Sequence, residues 1–254
     1  MTDEVLVDVA DGIMTITLNR PEARNAANKA LAEGVVAALD ELDSNDEIRV
    51  AVLTGAGGTF CSGMDLKAFV SGEVPYIEGR GFAGLTEKPP QKPLIAAIEG
   101  YALAGGLEIA ISCDLIVAAD DARFGIPEVK RGLAAAAGGL VRLPRQIPSR
   151  LAMEFALTGD FVDAQRAYEV GLVNRVVASG TALDAARDLA ATICANGPLA
   201  VKVSKQVMVE SSQWSDEEVW KKQSEIVMPI FASADAIEGS TAFAEKRAPN
   251  WKGK

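Results

Sequence analysis

The chain has 254 residues, 49% of them hydrophobic and 24% charged, with 25 basic against 35 acidic side chains and a net charge of −10. That composition supports a large folded core and excludes a disordered or coiled-coil chain, and the acidic balance argues against nucleic acid or an anionic membrane as the main partner. Histidine is absent, which removes Ser-His-Asp and Cys-His catalysis and leaves acid–base work to Asp, Glu, Lys, Tyr or Cys.

The start, Met1-Thr2-Asp3-Glu4, is acidic and lacks an apolar stretch, so it reads as neither a signal peptide nor a transit peptide. Residues 5–9 and 13–18 flank Asp11-Gly12 and predict a hairpin. Leu31, Val35, Leu39 and Leu42 recur at helical spacing and predict an amphipathic helix over 28–42. Short apolar runs at 50–53, 94–98, 115–118 and 172–177 read as strands separated by helical segments, an α/β rhythm. Residues 69–92 are polar and bear Gly and Pro, and read as a mobile connection. Past Gly197-Pro198 no further strand is evident, and 199–211 and 216–231 read as helices. Their apolar residues, among them Trp220, Ile226, Met228, Ile230 and Phe231, must pack on the body of the chain or on a neighbouring subunit, and both options stay open. The division predicted is a core over 1–196 and a helical region over 197–254. No apolar run is long enough to span a bilayer. Cys61, Cys113 and Cys194 are odd in number and scattered, which points to a reducing compartment, the cytoplasm, rather than a disulfide framework.

Three stretches carry chemistry. The first, Thr54 to Leu66, is a glycine-rich turn after a buried strand, but its spacing is not a dinucleotide fingerprint. The second is Gly105-Gly106-Leu107-Glu108, within a window (93–122) that has no Lys or Arg. An acid between Leu107 and Ile109 is costly to ionise without a partner. The two glycines read either as close-packing positions or as the start of a helix whose first amides bind an oxyanion. The third is Phe124-Gly125-Ile126-Pro127-Glu128, where Glu128 reads alone as a loop carboxylate near Lys130 and Arg131, and gains weight only in combination with Glu108.

Taken in order, these motifs resemble the crotonase superfamily, the enoyl-CoA hydratase/isomerase fold. The resemblance is carried by Asn19 to Ala26, Phe60 to Leu66, Gly100 to Asp114, Phe124 to Glu128 and Ala242 to Arg247. It implies a spiral of ββα units with a C-terminal helical region that assembles trimers or hexamers, and acyl-CoA thioester substrates, coenzyme A being part of the substrate rather than a separate cofactor. It implies an oxyanion hole from the amides of Met64 and Gly105, with Glu108 activating water and Glu128 protonating C2. Ala23, Arg24, Ser62, Asp65, Leu66, Lys67 and Lys246 stand at the positions that bind coenzyme A, Lys246 reaching towards a neighbouring subunit. The implied reaction is addition of water to a trans-2-enoyl-CoA. Alternatives on the same scaffold are dehydration of hydroxyacyl- or carnitinyl-CoA, thioester hydrolysis, and isomerisation, which in this family relies on the acid at Glu128 alone. A non-catalytic acyl-CoA binding protein is a further alternative that the two retained acids oppose. One departure stands out: a Pro-Gly turn common in hydratases is replaced by the run Ala134-Ala135-Ala136-Ala137, which puts the standard short-chain substrate in question.

Overall fold

The structure, a computed structural model, describes residues 3–254, so the reading of the start that rests on Met1 and Thr2 lies outside the described residues. Val5–Ala10 and Ile13–Leu18 form the predicted hairpin, with Val5 opposite Leu18 and Ala10 opposite Ile13. Asp11 and Gly12 both take positive φ, 53° and 76°, as the two-residue turn demands. Ile13–Leu18 then continues into a parallel array in the order Val50–Gly55, Leu94–Ile98, Leu115–Ala119 and Arg175–Val177, giving six strands.

Parallel strands are covered on both faces, which is why Leu94–Ile98 is apolar and buried at every position. Period two splits its residues between two cores. Ala51, Leu53, Leu94, Ala96 and Ile98 join Leu31, Val35, Leu39 and Leu42 of the helix Lys29–Ser44. Val50, Val52, Ile95, Ala97 and Val117 face Ala186 and Ala190 of the helix Ala182–Cys194. Asn28 caps the first of these helices through the Leu31 amide. Glu99 caps the second, accepting from the amides of Gly180 and Ala182 at 2.9 Å each.

A second sheet of three short strands, Val162–Asp163, Arg123–Gly125 and Tyr101–Leu103, was not predicted from the sequence. Its strands hold two or three residues each, too few for period two to register. Two other expectations are corrected. Leu172 and Val173 are buried but precede the last strand, which spans only Arg175–Val177. The supposed mobile connection is an ordered ribbon, Tyr76–Ile77 paired with Gly81–Phe82, anchored by the buried Ala83, Leu85 and Thr86.

The helices Pro198–Glu210, Val219–Val227 and Ala234–Glu245 follow. The predicted helix over 216–231 tightens into a 3-10 turn at Met228–Ala232, with Pro229 in its first turn, and the last helix was not foreseen. The Lys205 ammonium ties this region to the core, 2.6 Å from Asp114 Oδ2. Trp220, Met228, Phe231 and Phe243 stand exposed. Among the described residues no helix is long and apolar enough to cross a membrane.

Candidate functional site

The chain repeats one pattern three times: a strand in the large sheet, a segment in or bridged to the small sheet, then a helical turn. The repeats are Val50–Gly55, Cys61, Leu66–Val70; Leu94–Ile98, Tyr101–Leu103, Gly105–Ala110; and Leu115–Ala119, Arg123–Gly125, Pro127–Arg131. Cys61 bridges Ala102, and Tyr101–Leu103 pairs in parallel with Arg123–Gly125, so the middle segments stack side by side. Met64, then Gly105 with Glu108, then Glu128 leave successive members of that stack.

Met64 sits in a parallel bridge to Ala27. The Ala27 amide donates to the Gly63 carbonyl at 2.7 Å, and the Asp65 amide to the Ala27 carbonyl at 2.9 Å. Such a bridge uses the neighbours of Met64 and turns its own amide away. Gly105 opens its helix, so its amide has no intrahelical acceptor. Among the described residues neither amide is given to a protein acceptor. The two segments touch: a Cβ at Gly63 would lie 3.3 Å from the Gly105 nitrogen. Ala104, just ahead, is held at φ 52° and ψ −128°, a conformation that costs a non-glycine residue about 1–3 kcal/mol. Its amide on the Gly125 carbonyl, and its carbonyl on the amides of Leu107 and Glu108, hold it there. The glycine pair both opens a helix and packs closely. A Cβ at Gly105 would meet the Phe82 ring at 2.5 Å, and one at Gly106 the Cys61 carbonyl oxygen at 2.1 Å.

Glu108 is 3% exposed. Its Oε1 accepts from the amides of Ala137 at 2.7 Å and Gly139 at 2.8 Å. The carboxylate therefore serves the amino end of the helix Gly139–Gln146, whose dipole favours negative charge. The departing alanine run is thus the loop that grips the acid. Gly139 is tightly placed, since a Cβ there would lie 3.1 Å from Glu108 Oε1. Burial raises the pKa of Glu108, while the two amides and the Arg142 guanidinium oppose that rise. Arg142 escaped the sequence reading. It is half-buried, donates to the Thr86 carbonyl and so links the acid's loop to the ribbon bearing Phe82.

Glu128 stands in the 3-10 turn Pro127–Arg131. Its buried Oε2 has no hydrogen-bond partner. Burial raises its pKa, its own backbone amide opposes that rise, the negative charge of Glu108 adds to it, and Arg131 opposes. The two acids are thus unequal. Glu108 has two amide donors that favour its anion; Glu128 has an unpartnered oxygen and a like charge nearby, which disfavour ionisation. The Cys61 thiol is pushed up to about 12 by burial, which leaves it neutral and unreactive at ordinary pH.

Because the native state raises the pKa of Glu128 above the ordinary 4.5, folding binds a proton between the unfolded and folded values. Stability falls as pH rises through that window and stays reduced above it. Glu128→Gln is neutral throughout. It is expected to be more stable than the parent at neutral pH by about 1 kcal/mol, a gain that closes below about pH 4. Melting curves at the two pH values measure it.

The other predicted residues are placed as follows. Ala23 ends a 3-10 turn, and Arg24 is exposed with a left-handed backbone. The Ser62 amide donates to the Arg24 carbonyl at 3.1 Å, which joins this turn to the Met64 segment. Leu66 and Lys67 are exposed on the following helix. The Asp65 side chain is committed elsewhere: it caps that helix and pairs with Arg20 at 2.9 Å. Burial works to raise its pKa, but Arg20 and the two amides outweigh it and hold the carboxyl below its ordinary value. Lys246 closes the last helix, exposed, and no hydrogen bond or ion pair brings it to the other residues.

Comparison with known proteins agrees with this fold. A family model described as enoyl-CoA hydratase/isomerase matches residues 8–254. An enoyl-CoA hydratase of Mycobacterium tuberculosis is 44% identical, the match covering 99% of this chain and 97% of the relative. A carnitinyl-CoA dehydratase of Proteus mirabilis is 39% identical over 100% of both. A crystal structure of an enoyl-CoA hydratase from Mycobacterium tuberculosis superposes with a TM-score of 0.98 at 57% identity, covering 100% of each chain.

Proposed function

The chain belongs to the enoyl-CoA hydratase/isomerase family, and from that premise we propose that it is a hydro-lyase of the enoyl-CoA hydratase type, adding water to a trans-2-enoyl-CoA to give a 3-hydroxyacyl-CoA. One observation supports the reading: a buried acid, Glu108, and a half-buried one, Glu128, lie in electrostatic reach of each other on successive repeats, and the amides of Met64 and Gly105 on the neighbouring segments have no protein acceptor.

In the proposed reaction the thioester oxygen receives hydrogen bonds from Met64 and Gly105. The Glu108 carboxylate takes a proton from water, and the water oxygen bonds to C3. The C2–C3 π pair moves towards C1, and negative charge collects on the thioester oxygen. C2 takes the proton held by Glu128. One water is added, and the two acids end with their protonation exchanged, to be restored by solvent. Removing a single oxyanion donor of this kind costs roughly 3–4 kcal/mol of transition-state stabilisation. The exposed Arg24 and Lys67 supply local positive charge for the anionic nucleotide of coenzyme A on an otherwise acidic protein. Lys246 would act on a neighbouring subunit, with 197–254 as the assembling region of a homotrimer or homohexamer and 1–196 as the core. The exposed Trp220, Met228 and Phe231 support that assembly.

A second reading, dehydration of a carnitinyl- or other 3-hydroxyacyl-CoA, has support from the 39% identical relative. It uses the same two acids in reverse. Turnover on a graded panel of 2-enoyl-, 3-enoyl- and 3-hydroxyacyl-CoA thioesters, with products identified, tests both. Hydration of a 2-enoyl member is the expected result; turnover of only the 3-enoyl members would overturn it.

A further inference from the structure

We propose that Arg20 is a positioning residue for the Met64 amide, an inference that rests on the reading of that amide as an oxyanion donor. Arg20 belongs to the Asn19-Arg20-Pro21 motif, to which no chemistry has been attached, and its side chain is only 14% exposed. Its guanidinium holds three elements at once. Nη2 donates to Asp65 Oδ2 at 2.9 Å, Nη1 donates to the Ala26 carbonyl, and Nε lies 3.5 Å from Glu4 Oε2. Its backbone is held as well: the Arg20 amide donates to Asn25 Oδ1 at 2.9 Å. Asn25 is fully buried and in turn donates to the Ala56 and Thr59 carbonyls.

These contacts close a ring around Met64. Ala27 fixes the residues on either side of it, Gly63 and Asp65, by backbone hydrogen bonds. Arg20 grips the residue before Ala27 and the side chain of the residue after Met64. The other Asp65 oxygen accepts from the amides of Lys67 and Ala68 at 3.0 and 3.3 Å, which sets the start of the helix Leu66–Val70. Arg20 therefore governs where the Met64 amide points without belonging to the donor pair itself. A lysine offers a single ammonium on a flexible stem where the guanidinium offers a rigid planar fork, so it is expected to hold Asp65 and the Ala26 carbonyl less firmly and at altered geometry.

The test compares Arg20→Lys and Asp65→Asn with the parent. The second variant keeps a helix-capping side chain and removes only the charged partner. Two quantities are read: kcat and KM for hydration of a 2-enoyl-CoA, and the absorbance band of bound 4-dimethylaminocinnamoyl-CoA, which moves to the red when its carbonyl is polarised. For Arg20→Lys, kcat is expected to fall roughly 30- to 100-fold, KM to stay within about threefold, and the red shift to shrink. Asp65→Asn should show the same split at roughly 5- to 10-fold, and it carries the test if the arginine variant does not fold. Parental kcat in the folded variants overturns the role, as does a reduced kcat with an undiminished red shift. A parent protein that hydrates the substrate but gives no red shift overturns the oxyanion reading and this role with it. A parent without turnover defeats the proposed reaction alone, and the red-shift comparison then decides the role of Arg20.

Discussion

Glu108→Gln is expected to lower hydration of a 2-enoyl-CoA by about three orders of magnitude while leaving the protein folded. The figure lies within the roughly 10²- to 10⁴-fold that a positioned general base contributes. The substitution is isosteric, and its amide oxygen can still accept from Ala137 and Gly139, so the loop that grips the acid keeps its anchor. What is lost is the carboxylate that would take a proton from water. A second consequence separates this role from a structural one. The charge of Glu108 is one cause of the raised pKa of Glu128, so in Glu108→Gln the carboxyl of Glu128 should titrate at lower pH. The carbonyl stretch of the protonated acid, followed against pH by infrared difference spectroscopy, reads that shift. In the proposed reaction the acids act as a unit, so Glu108→Gln combined with Glu128→Gln should be little worse than either alone. Hydration by Glu108→Gln within about tenfold of the parent would remove the acid from the mechanism.

Gly106→Ala is expected to cost about 3 kcal/mol of stability and to reduce turnover by roughly 100-fold. The added carbon would fall 2.1 Å from the Cys61 carbonyl oxygen and 2.7 Å from its carbon, both main-chain atoms. Cys61 cannot easily retreat, since its amide donates to the Tyr101 carbonyl and its carbonyl accepts from Leu103, each near 3 Å. Relief must come from parting the first repeat from the second. That is the seam along which the Gly63–Met64 and Gly105 segments touch, and in the proposed reaction it carries both oxyanion donors, so stability and catalysis should fall together. Urea unfolding and steady-state kinetics on the same preparation provide the readout. Unchanged stability with full activity would mean that the two repeats separate freely.

Glu108 stands out in the chain alone because an acid between Leu107 and Ile109 violates the apolar pattern around it. Glu128 had no such signal, and its standing came from resemblance. Arg142 and Arg20 had none either, because a lone arginine on a half-buried helix or turn looks like any solvated cation until its neighbours are known. Ala104 is hidden for a different reason: its strain lies in the backbone, and an alanine letter carries no trace of it.

Local pattern by itself determined the first hairpin, the amphipathic helix, the buried central strands, the lack of imidazole chemistry and the odd placement of one acid. Period and composition are properties of neighbours along the chain, and these features depend on little else. Only the tertiary structure decided what each acid in the cation-free window meets. Glu99 caps a helix that begins some 80 residues later, Asp114 meets Lys205, and Asp120 and Asp121 bind Ser179. Glu108 alone of the five is buried, with a second acid, Glu128, in electrostatic reach. A partner far along the chain leaves no mark on local sequence, and the cost of burying a charge depends on that partner.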